Sequence, residues 1–222
     1  MSDPRPWILF LNGPSSAGKS SLCTALQACF PEPLLHVAAD MFLSMMPRCY
    51  RALDVAPDSA AAEGFLSVTV PDAPRPFIDV QAGPFGHRVI LGMHRSVAAL
   101  AEEGSHVVVD HVLLYPLWRR QAVETLADHR VLFIKVSCEL EELERRERER
   151  ANRSSGYAYG SFTCIHEGCH YDFEIDTTGK TSEECAAEIV QHLRSDPVPQ
   201  GFRRMRRELA EAGLEVSRHG KV

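Results

Sequence analysis

The chain has 222 residues, of which 45% are hydrophobic and 24% are charged, values typical of a globular protein with a sizeable core. Its 24 basic and 30 acidic residues give a formal net charge of −6. This charge argues against a protein that binds nucleic-acid phosphates in general, because such binding depends on concentrated positive charge. With no signal-peptide pattern, no apolar run near the roughly 20 residues of a membrane helix, and seven scattered cysteines, we expect a cytoplasmic protein with reduced thiols and no membrane partner.

Short apolar segments alternate with longer segments of helical periodicity, which predicts parallel strands joined by helices in one α/β domain over residues 1–196. Strands buried on both faces are continuously apolar, as these segments are. The predicted strands are Trp7–Leu11, Leu34–Ala38, His106–Val109, Val131–Val136 and Tyr171–Ile175. The predicted helices are Lys19–Cys29, Arg88–Glu103, Pro116–Asp128, Leu140–Asn152 and Ser182–Arg194.

Two regions depart from this alternation. Residues 48–86 carry several prolines and glycines, which predicts a long loop or a small irregular subdomain that contacts substrate. Residues 197–222 follow the break Pro197-Val198-Pro199 and are predicted to form a separate appendage with a helix from Phe202 to Ala212.

The segment Gly13–Ser20 matches the phosphate-loop pattern G-x-x-x-x-G-K-[ST] in full, between a predicted strand and a predicted helix. The glycines allow the backbone amides to point at phosphate oxygens, Lys19 reaches the outer phosphates, and the hydroxyl of Ser20 is placed to bind Mg²⁺. The pattern therefore predicts binding of ATP and Mg²⁺. The predicted nucleotide-binding residues of this loop are Gly13, Pro14, Ser15, Ser16, Ala17, Gly18, Lys19, Ser20 and Ser21.

Asp110 ends the apolar run Val107–Val109, as an acidic residue beside Mg²⁺ does in many phosphate-loop proteins. An aspartate at a strand end can also simply form a turn. Because an intact phosphate loop is present, we favour the role in metal binding, together with Ser20.

Asp40 follows the second predicted strand, and the carboxyl ends of parallel strands converge on one crevice. A carboxylate there can accept the proton of an attacking hydroxyl group. The same residue precedes the apolar run Met41-Phe42-Leu43, so an ordinary helix N-cap explains it equally well. Position alone does not separate a catalytic Asp40 from a capping Asp40.

Arginines and glutamates alternate at the end of the fourth predicted helix, and most of them are explained as ion pairs on a solvated surface. Arg150 and Arg153 lie just before Ser154-Ser155-Gly156, where we expect a lid over residues 146–165 to begin. Arginines on a closing lid stabilise charge on the transferring phosphoryl group, so Arg150 and Arg153 are predicted to be catalytic, and Arg146 to contact nucleotide.

A cluster of Cys164, His166, Cys169 and His170 suggests a zinc site at first sight. Its spacing does not match the usual zinc-binding pairs, and no second cluster completes it. We therefore expect an ordinary turn that leads into the last strand.

From about Ile8 to Leu193, the motifs described above make the chain resemble the chloramphenicol phosphotransferase family. The likeness includes the phosphate loop, Asp40, the strand that ends at Asp110, and the spacing of the three lid arginines. Its most specific part is the order of three short motifs. They are His166-Glu167-Gly168, Tyr171-Asp172 and Asp176-Thr177-Thr178.

The resemblance implies a three-layer α/β fold similar to nucleoside monophosphate kinases, with a parallel sheet of about five strands and a lid. It also implies phosphorylation of a hydroxyl group of a chloramphenicol-like antibiotic by ATP, antibiotic resistance, and Asp40 as the general base. We expect Thr178 and Gly179, after the last strand, to border the adenine. The chain departs from the family in its longer proline-rich loop, in His111 where a second acid is usual, and in the C-terminal appendage.

Three alternatives stay open from the sequence. The first is a kinase whose acceptor is a sugar, a nucleotide or another antibiotic, since a family likeness identifies the chemistry better than the substrate. The second is an ATP-dependent switch that transfers no phosphate, although such a switch needs neither Asp40 nor lid arginines. A kinase of nucleic-acid ends would use the basic residues near the C-terminus, but the acidic composition counts against it. Those residues are Arg203, Arg204, Arg206 and Arg207.

Overall fold

A computed structural model of the chain describes residues 5–56, 58–73, 75–149 and 156–219, with side chains in the last helix described up to residue 212. In chain order, its elements are Trp7–Asn12 (β1), Lys19–Cys29 (α1), Leu34–Ala38 (β2), Ala39–Ser44 (α2), a 3₁₀ turn at Arg48–Tyr50, Arg51–Leu53 (β3), Ala60–Glu63 (α3), Phe65–Val70 (β4), Phe77–Ala82 (β5), Pro84–Glu102 (α4), His106–His111 (β6), Pro116–Leu126 (α5), Arg130–Ser137 (β7), Leu140–Glu149 (α6), Tyr157–Phe162 (α7), Phe173–Asp176 (β8), Ser182–Leu193 (α8) and Gly201–His219 (α9).

Five parallel strands form the main sheet in the order β2-β6-β1-β7-β8, which confirms the predicted sheet. Every residue of β1 is buried, because β1 is the central strand and is covered on both faces. The chain runs from β1 to one side of the sheet and, after β6, crosses to the other side. This reversal leaves a crevice at the carboxyl end of β1, where α/β proteins commonly bind ligands.

Helices cover the sheet in two layers, each with its own hydrophobic core. One core joins β1, β6 and β7 to α4, α5 and α9 through residues such as Phe10, Met93 and Phe133. The other joins the opposite face of the sheet to α1, α6 and α8 through residues such as Leu22 and Ile189. The fold is therefore the predicted three-layer α/β arrangement. None of the helices in the described part of the chain combines the length and the apolar character that crossing a membrane requires.

Residues 48–86 are more regular than the sequence prediction of an irregular loop. They contain a second sheet in the order β3-β4-β5, in which β4 and β5 pair antiparallel from Phe65 opposite Ala82 to Val70 opposite Phe77. The prolines misled the prediction because they bound these elements without interrupting them. Pro71 and Pro76 lie between β4 and β5, and Pro84 is the first residue of α4, where a missing backbone N–H costs nothing.

The C-terminal helix α9 packs on the domain and does not form the separate appendage that the sequence suggested. Phe202 is only 3% exposed, and its ring lies 5.4 Å from Phe10 and 4.9 Å from Phe133 between ring centroids. Both Gln200 and Gly201 donate backbone N–H bonds to the Asp172 carboxylate, at 2.6 and 2.8 Å. The prolines at 197–199 therefore end α8 and turn the chain back onto the same core.

Candidate active site

The phosphate loop connects β1 to α1, and its backbone geometry requires glycine at two positions. A Cβ atom at Gly13 would lie 2.3 Å from the carbonyl oxygen of Val136, so only glycine allows the loop to approach β7 this closely. Gly18 has φ of 82°, in the left-handed region, and is the N-cap of α1. Ser16 also adopts a positive φ, of 67°, which is unusual for a residue with a side chain. Strained backbone of this kind is concentrated at ligand-binding sites.

Lys19 lies over this loop as the pattern predicts. Its side chain is buried, and Nζ donates hydrogen bonds to the carbonyl oxygens of Gly13 at 2.9 Å and of Pro14 at 2.8 Å. These bonds hold the ammonium group at the mouth of the loop. A buried cation at the N-terminus of a helix makes this point of the surface attractive to an anion.

Two serine hydroxyls of the loop indicate that a polar ligand fits there. Within the described residues, the Oγ atoms of Ser15 and Ser16 are buried and have no hydrogen-bond partner. A buried polar group without a partner is costly, and phosphate oxygens would accept from both hydroxyls. The residues present therefore fit the phosphates of a nucleotide.

Asp110 and Ser20 meet at the edge of the loop. In the pairing of β1 with β6, Asp110 lies opposite Leu11. Its side chain reaches α1, where Ser20 Oγ donates a hydrogen bond to Asp110 Oδ2 at 2.6 Å. A hydroxyl and a carboxylate oxygen are hard ligands of the type that Mg²⁺ prefers. The two residues predicted to organise the metal are thus adjacent.

Asp40 is the second residue of α2 and not its N-cap. The N-cap is Ala38, and the helix has no capping hydrogen bond from a side chain. Asp40 is exposed to solvent and lines the same cleft as Ser15 of the phosphate loop. Its position therefore gives no support to the capping interpretation, whereas it suits a residue that acts on a molecule in the cleft.

The cleft has a volume of about 750 Å³ and opens between the main sheet and the small sheet. Side chains of β3, β4 and β5 form one wall, and the segment 112–118 after β6 forms another. Most of the lining is apolar or aromatic. The apolar and aromatic lining residues are Ala39, Leu43, Ala52, Leu53, Phe65, Ile78, Val80, Ile90, Val112, Leu114, Tyr115, Trp118 and Tyr157, and the charged ones are Asp40, Arg51 and Asp79.

Two histidines lie behind the cleft wall and contact each other. His94 of α4 and His111 of β6 are both fully buried, and their Nε2 atoms are 3.1 Å apart. Burial lowers the pKa of His94 well below its usual value, with His111 as a second cause, and lowers the pKa of His111 to about 4. Both rings are therefore neutral near pH 7. His111, which stands where the family usually has an acid, adds no negative charge to the site.

Arg146 lies next to the phosphate loop, although its bonds are to the segment after β8. Its guanidinium donates to Thr177 Oγ1 at 3.1 Å and to the Thr177 carbonyl oxygen at 2.7 Å, and it pairs with Glu142. Thr177 in turn donates to the carbonyl oxygen of Ala17 at 3.0 Å. Arg146 thus stays a candidate nucleotide contact. The predicted catalytic residues Arg150 and Arg153 lie outside the described residues.

The predicted adenine-side residues continue from Thr177 on the surface. Thr178 accepts the backbone N–H of Glu139 at 2.9 Å and donates its own N–H to Asp176 at 2.9 Å. Gly179 is exposed with φ of 67°. The hydrogen bond of Thr177 to Ala17 joins this turn to the phosphate loop, and the contact of Thr178 and Gly179 with adenine stays a prediction.

Three residues that the sequence reasoning did not assign support the site. Asn12 donates to Tyr171 at 2.7 Å and accepts from Leu113, and Ser161 Oγ accepts the backbone N–H of Ser15 at 2.9 Å. Glu147 is only 3% exposed and accepts N–H bonds at the start of α7. Its spacing of four residues from the buried Leu143 was a readable signal that it faces inward.

The Cys164–His170 segment forms the turn that was expected. His166 Nδ1 lies 2.7 Å from the hydroxyl of Tyr171, and His170 lies 2.7 Å from a carboxylate oxygen of Glu208 on α9. Among the described residues, these cysteines and histidines do not form a group with metal-binding geometry.

Comparison with known proteins agrees with this geometry. Residues 7–194 match the model of the family described as "Chloramphenicol phosphotransferase-like protein". A protein of Mycobacterium tuberculosis strains CDC 1551 and H37Rv, named "Putative O-phosphotransferase", is 32% identical over 92% of this chain and 89% of its own. Among solved structures, the M. tuberculosis APS kinase CysC in complex with AMPPNP and APS superposes with a TM-score of 0.60 at 16% identity, covering 86% of this chain and 99% of the kinase. A gluconokinase from Sinorhizobium meliloti 1021 gives 0.53 at 16% identity, with 87% and 94% covered. The fold is therefore that of phosphate-loop kinases.

Proposed function

Because the chain belongs to the chloramphenicol phosphotransferase-like family, we propose that it transfers the γ-phosphoryl group of ATP to a hydroxyl group of a small molecule. The observation that carries this proposal is the shared cleft. Ser15 of the phosphate loop and the carboxylate of Asp40 line the same cavity of about 750 Å³. A phosphate-binding loop and a proton acceptor that face one cavity are what phosphoryl transfer to a hydroxyl group requires.

On the donor side, the loop amides, Lys19 and the two unpartnered serine hydroxyls bind the phosphates of ATP. Ser20 and Asp110 would hold Mg²⁺, which would neutralise charge on the phosphate oxygens. In phosphoryl transfer the protein chiefly positions the reactants and stabilises charge. The buried ammonium group of Lys19 is well suited to this role, because water screens it little.

On the acceptor side, the hydroxyl oxygen forms the new bond to the γ-phosphorus while the bond from phosphorus to the β–γ bridging oxygen breaks. The hydroxyl proton passes to the Asp40 carboxylate, and ADP leaves with the bridging oxygen. Arg150 and Arg153 stay predictions for the charge on the phosphoryl oxygens.

The lining of the cleft favours an acceptor with an apolar or aromatic body. Aromatic residues face the cavity from β4 and from the start of α5, among them Phe65, Tyr115 and Trp118. A sugar presents a hydroxyl group on nearly every carbon and needs a matching number of polar partners. A chloramphenicol-like antibiotic, with an aromatic ring and a primary hydroxyl group, suits this lining better.

The proposal is tested by measuring ADP release from ATP and Mg²⁺ with a panel of hydroxyl compounds. The panel contains chloramphenicol, other aromatic alcohols, sugars and nucleosides, and the phosphorylated product is identified by mass. Lys19→Ala serves as the control that links turnover to this site, since it removes the phosphate-binding cation. We expect turnover with an aromatic alcohol and none in the variant. ATP binding without transfer to any member would instead favour a switch, and equal turnover by Lys19→Ala would refute the assigned site.

A further inference from the structure

We propose that Cys23, His36 and Asp110 form a binding site for one soft divalent cation, with Zn²⁺ as the best fit, and that its occupancy inhibits the enzyme. The three side chains come from α1, β2 and β6. Their ligand atoms, a thiol sulfur, an imidazole nitrogen and a carboxylate oxygen, all lie within 4.8 Å of one another. Metal binding depends only on these three residues, whereas inhibition rests on the proposed function.

The three ligand atoms are close to the spacing that zinc needs. Tetrahedral zinc has bonds of about 2.0–2.3 Å, so its ligand atoms lie roughly 3.5 Å apart and would have to draw together by about 1 Å. Side-chain rotation supplies a shift of that size without moving the sheet, since β2 and β6 are hydrogen-bonded neighbours. A water molecule then completes four ligands.

An independent observation points to a missing partner at this place. The Nε2 atom of His36 is buried, yet it has no hydrogen-bond partner among the described residues. Buried imidazole nitrogens are nearly always paired, because leaving one unpaired costs free energy. A metal ion bound at Nε2 removes that cost and uses the nitrogen that histidine commonly offers to zinc.

The ligand types select the metal. Mg²⁺ prefers oxygen ligands only, whereas a thiolate with an imidazole favours zinc and similar transition metals. The Cys23 thiol is buried, and cysteine binds a metal as the thiolate. Binding of the cation therefore forms the metal–sulfur bond and releases one proton to solvent.

Inhibition follows from the second role of Asp110. This carboxylate accepts the hydrogen bond of Ser20 at 2.6 Å and is the residue proposed to organise Mg²⁺. A zinc ion bound directly to Asp110 withdraws it from that task. Ser20 is exposed to solvent and contacts Asp110, so an ion can reach Asp110 from the side of the phosphate loop.

The binding test uses metal-stripped full-length protein and Co²⁺ as a spectroscopic substitute for Zn²⁺. We expect one equivalent of Co²⁺ to give a thiolate-to-metal charge-transfer band. Added Zn²⁺ should displace the Co²⁺ and abolish the band. Cys23→Ala should abolish the band, and His36→Gln should weaken binding by at least the roughly 10-fold that loss of an outer-shell partner costs. The matched control is Cys185→Ala, which removes a thiol equally buried in the same core. No band, or a band lost in Cys164→Ala instead of Cys23→Ala, overturns the proposal.

The inhibition test measures transfer in excess Mg²⁺ while a metal buffer sets the free Zn²⁺ concentration, because ATP itself binds zinc. We expect Zn²⁺ to inhibit the wild type and the Cys185→Ala variant equally. The His36→Gln variant should keep the wild-type rate in the absence of zinc, but it should require at least about 10-fold more Zn²⁺ for the same inhibition. Equal sensitivity of His36→Gln and wild type would refute the inhibitory site. Should no acceptor be found for the wild type, the proposed function fails while the Co²⁺ spectra still decide the binding site.

Discussion

Asp40 stands where both a helix cap and a catalytic base would be placed, and the structure separates the two roles. Because Ala38 is the N-cap, Asn in place of Asp40 disturbs no capping bond. We predict that Asp40→Asn lowers kcat/KM by about 10²–10⁴-fold, the usual contribution of a general base. The loss should lie toward the lower end, because a loose phosphoryl-transfer transition state needs the base late. Steady-state kinetics alongside thermal melts of both proteins measure this.

The melting temperature of Asp40→Asn should change little. A carboxylate in the first turn of a helix contributes about 0.3–1 kcal/mol through the helix dipole, and Asn removes this charge while keeping the shape of the side chain. A variant with intact turnover and a clearly lowered melting temperature would show that Asp40 serves the helix and not the reaction.

The buried pair His94 and His111 makes stability depend on pH. Both pKa values are lowered in the folded protein, so the unfolded chain binds more protons as the pH falls through the usual histidine value of about 6.5. The stabilising contribution is therefore present above pH 6.5 and is lost between about pH 6.5 and 4. We predict that the melting temperature falls over this range, and that a His94→Leu/His111→Leu double variant falls less steeply. Parallel curves for the two proteins below pH 6 would contradict this account.

Residue identity was the easiest part of the site to predict from sequence. The phosphate loop is contiguous, so its spacing reveals Lys19 and Ser20 directly, and a strand end reveals Asp110. The roles of Asn12 and Ser161 depend on contacts across more than 140 residues, and no local pattern encodes such contacts. The site residues that a sequence shows are those whose neighbours in space are also neighbours in the chain.

At the scale of elements, the arginines predicted to act on the phosphoryl group, Arg150 and Arg153, follow α6 in the sequence and lie outside the described residues. Replacing Arg150 and Arg153 with alanine should lower kcat by roughly two or more orders of magnitude, as the loss of transition-state donors does. ATP affinity should change far less, because the phosphate loop binds nucleotide without them. Arg145→Ala is the matched control, since Arg145 is an exposed arginine of α6 that pairs with Glu142 and Glu149. Equal losses in ATP affinity and in kcat would identify Arg150 and Arg153 as ordinary binding residues.

Glu147 joins two elements, α6 and α7. Its carboxylate accepts the backbone N–H of Gly156 at 2.8 Å and of Ala158 at 2.9 Å, at the N-terminal end of α7. Glu147→Gln replaces one accepting oxygen with an NH₂ group that faces a donor, so we predict a loss of about 1–3 kcal/mol in the free energy of unfolding. Urea denaturation measures it, with the exposed Glu149→Gln as the control. A loss no larger than that of the control would mean that water replaces these bonds.

The elements of the main sheet were predictable because central parallel strands are continuously apolar. The observed β2 and α1 have the predicted bounds, and β1, β6 and β7 extend the predicted strands by one or two residues at their ends. The last strand starts two residues late, because the Asp172 side chain accepts the Phe133 N–H at 2.9 Å where a strand would use its carbonyl oxygen. The small sheet was missed because β3 has only three residues and β5 is mostly half-buried or exposed, so the apolar pattern of these strands is weak.

For the whole molecule, α9 is the element whose placement departs most from the sequence prediction. The prolines at 197 and 199 predict a domain boundary, but in the structure this segment only connects α8 to α9. A proline can interrupt a helix without separating two domains. Phe202 and Met205 stand one turn apart on α9, and both enter the core of α4 and α5. Only the spacing of these two residues hinted at such packing, and it is too short a pattern to be decisive.

We predict that Phe202→Ala destabilises the entire domain by about 3–5 kcal/mol, the usual cost of removing a buried phenylalanine. The reason is that its ring contacts both Phe10 of β1 and Phe133 of β7, at the centre of the main sheet. Urea denaturation should show the loss as one cooperative transition at a lower midpoint. Leu209→Ala, a change at a 36% exposed site of the same helix, should have a much smaller effect. Similar midpoints for the two variants would show that α9 is only loosely attached.

The central position of β1 in the sheet affects how the chain folds during its synthesis. β1 leaves the ribosome before both of its hydrogen-bonding neighbours, β6 and β7, which are made about a hundred residues later or more. Until then its apolar side chains have no partner, and pairings this distant in sequence form slowly. The nascent protein therefore exposes an apolar segment until β6 and β7 have been made, the state that chaperones protect from aggregation. The phosphate loop lies directly after β1 and can take shape only when these two later strands are present.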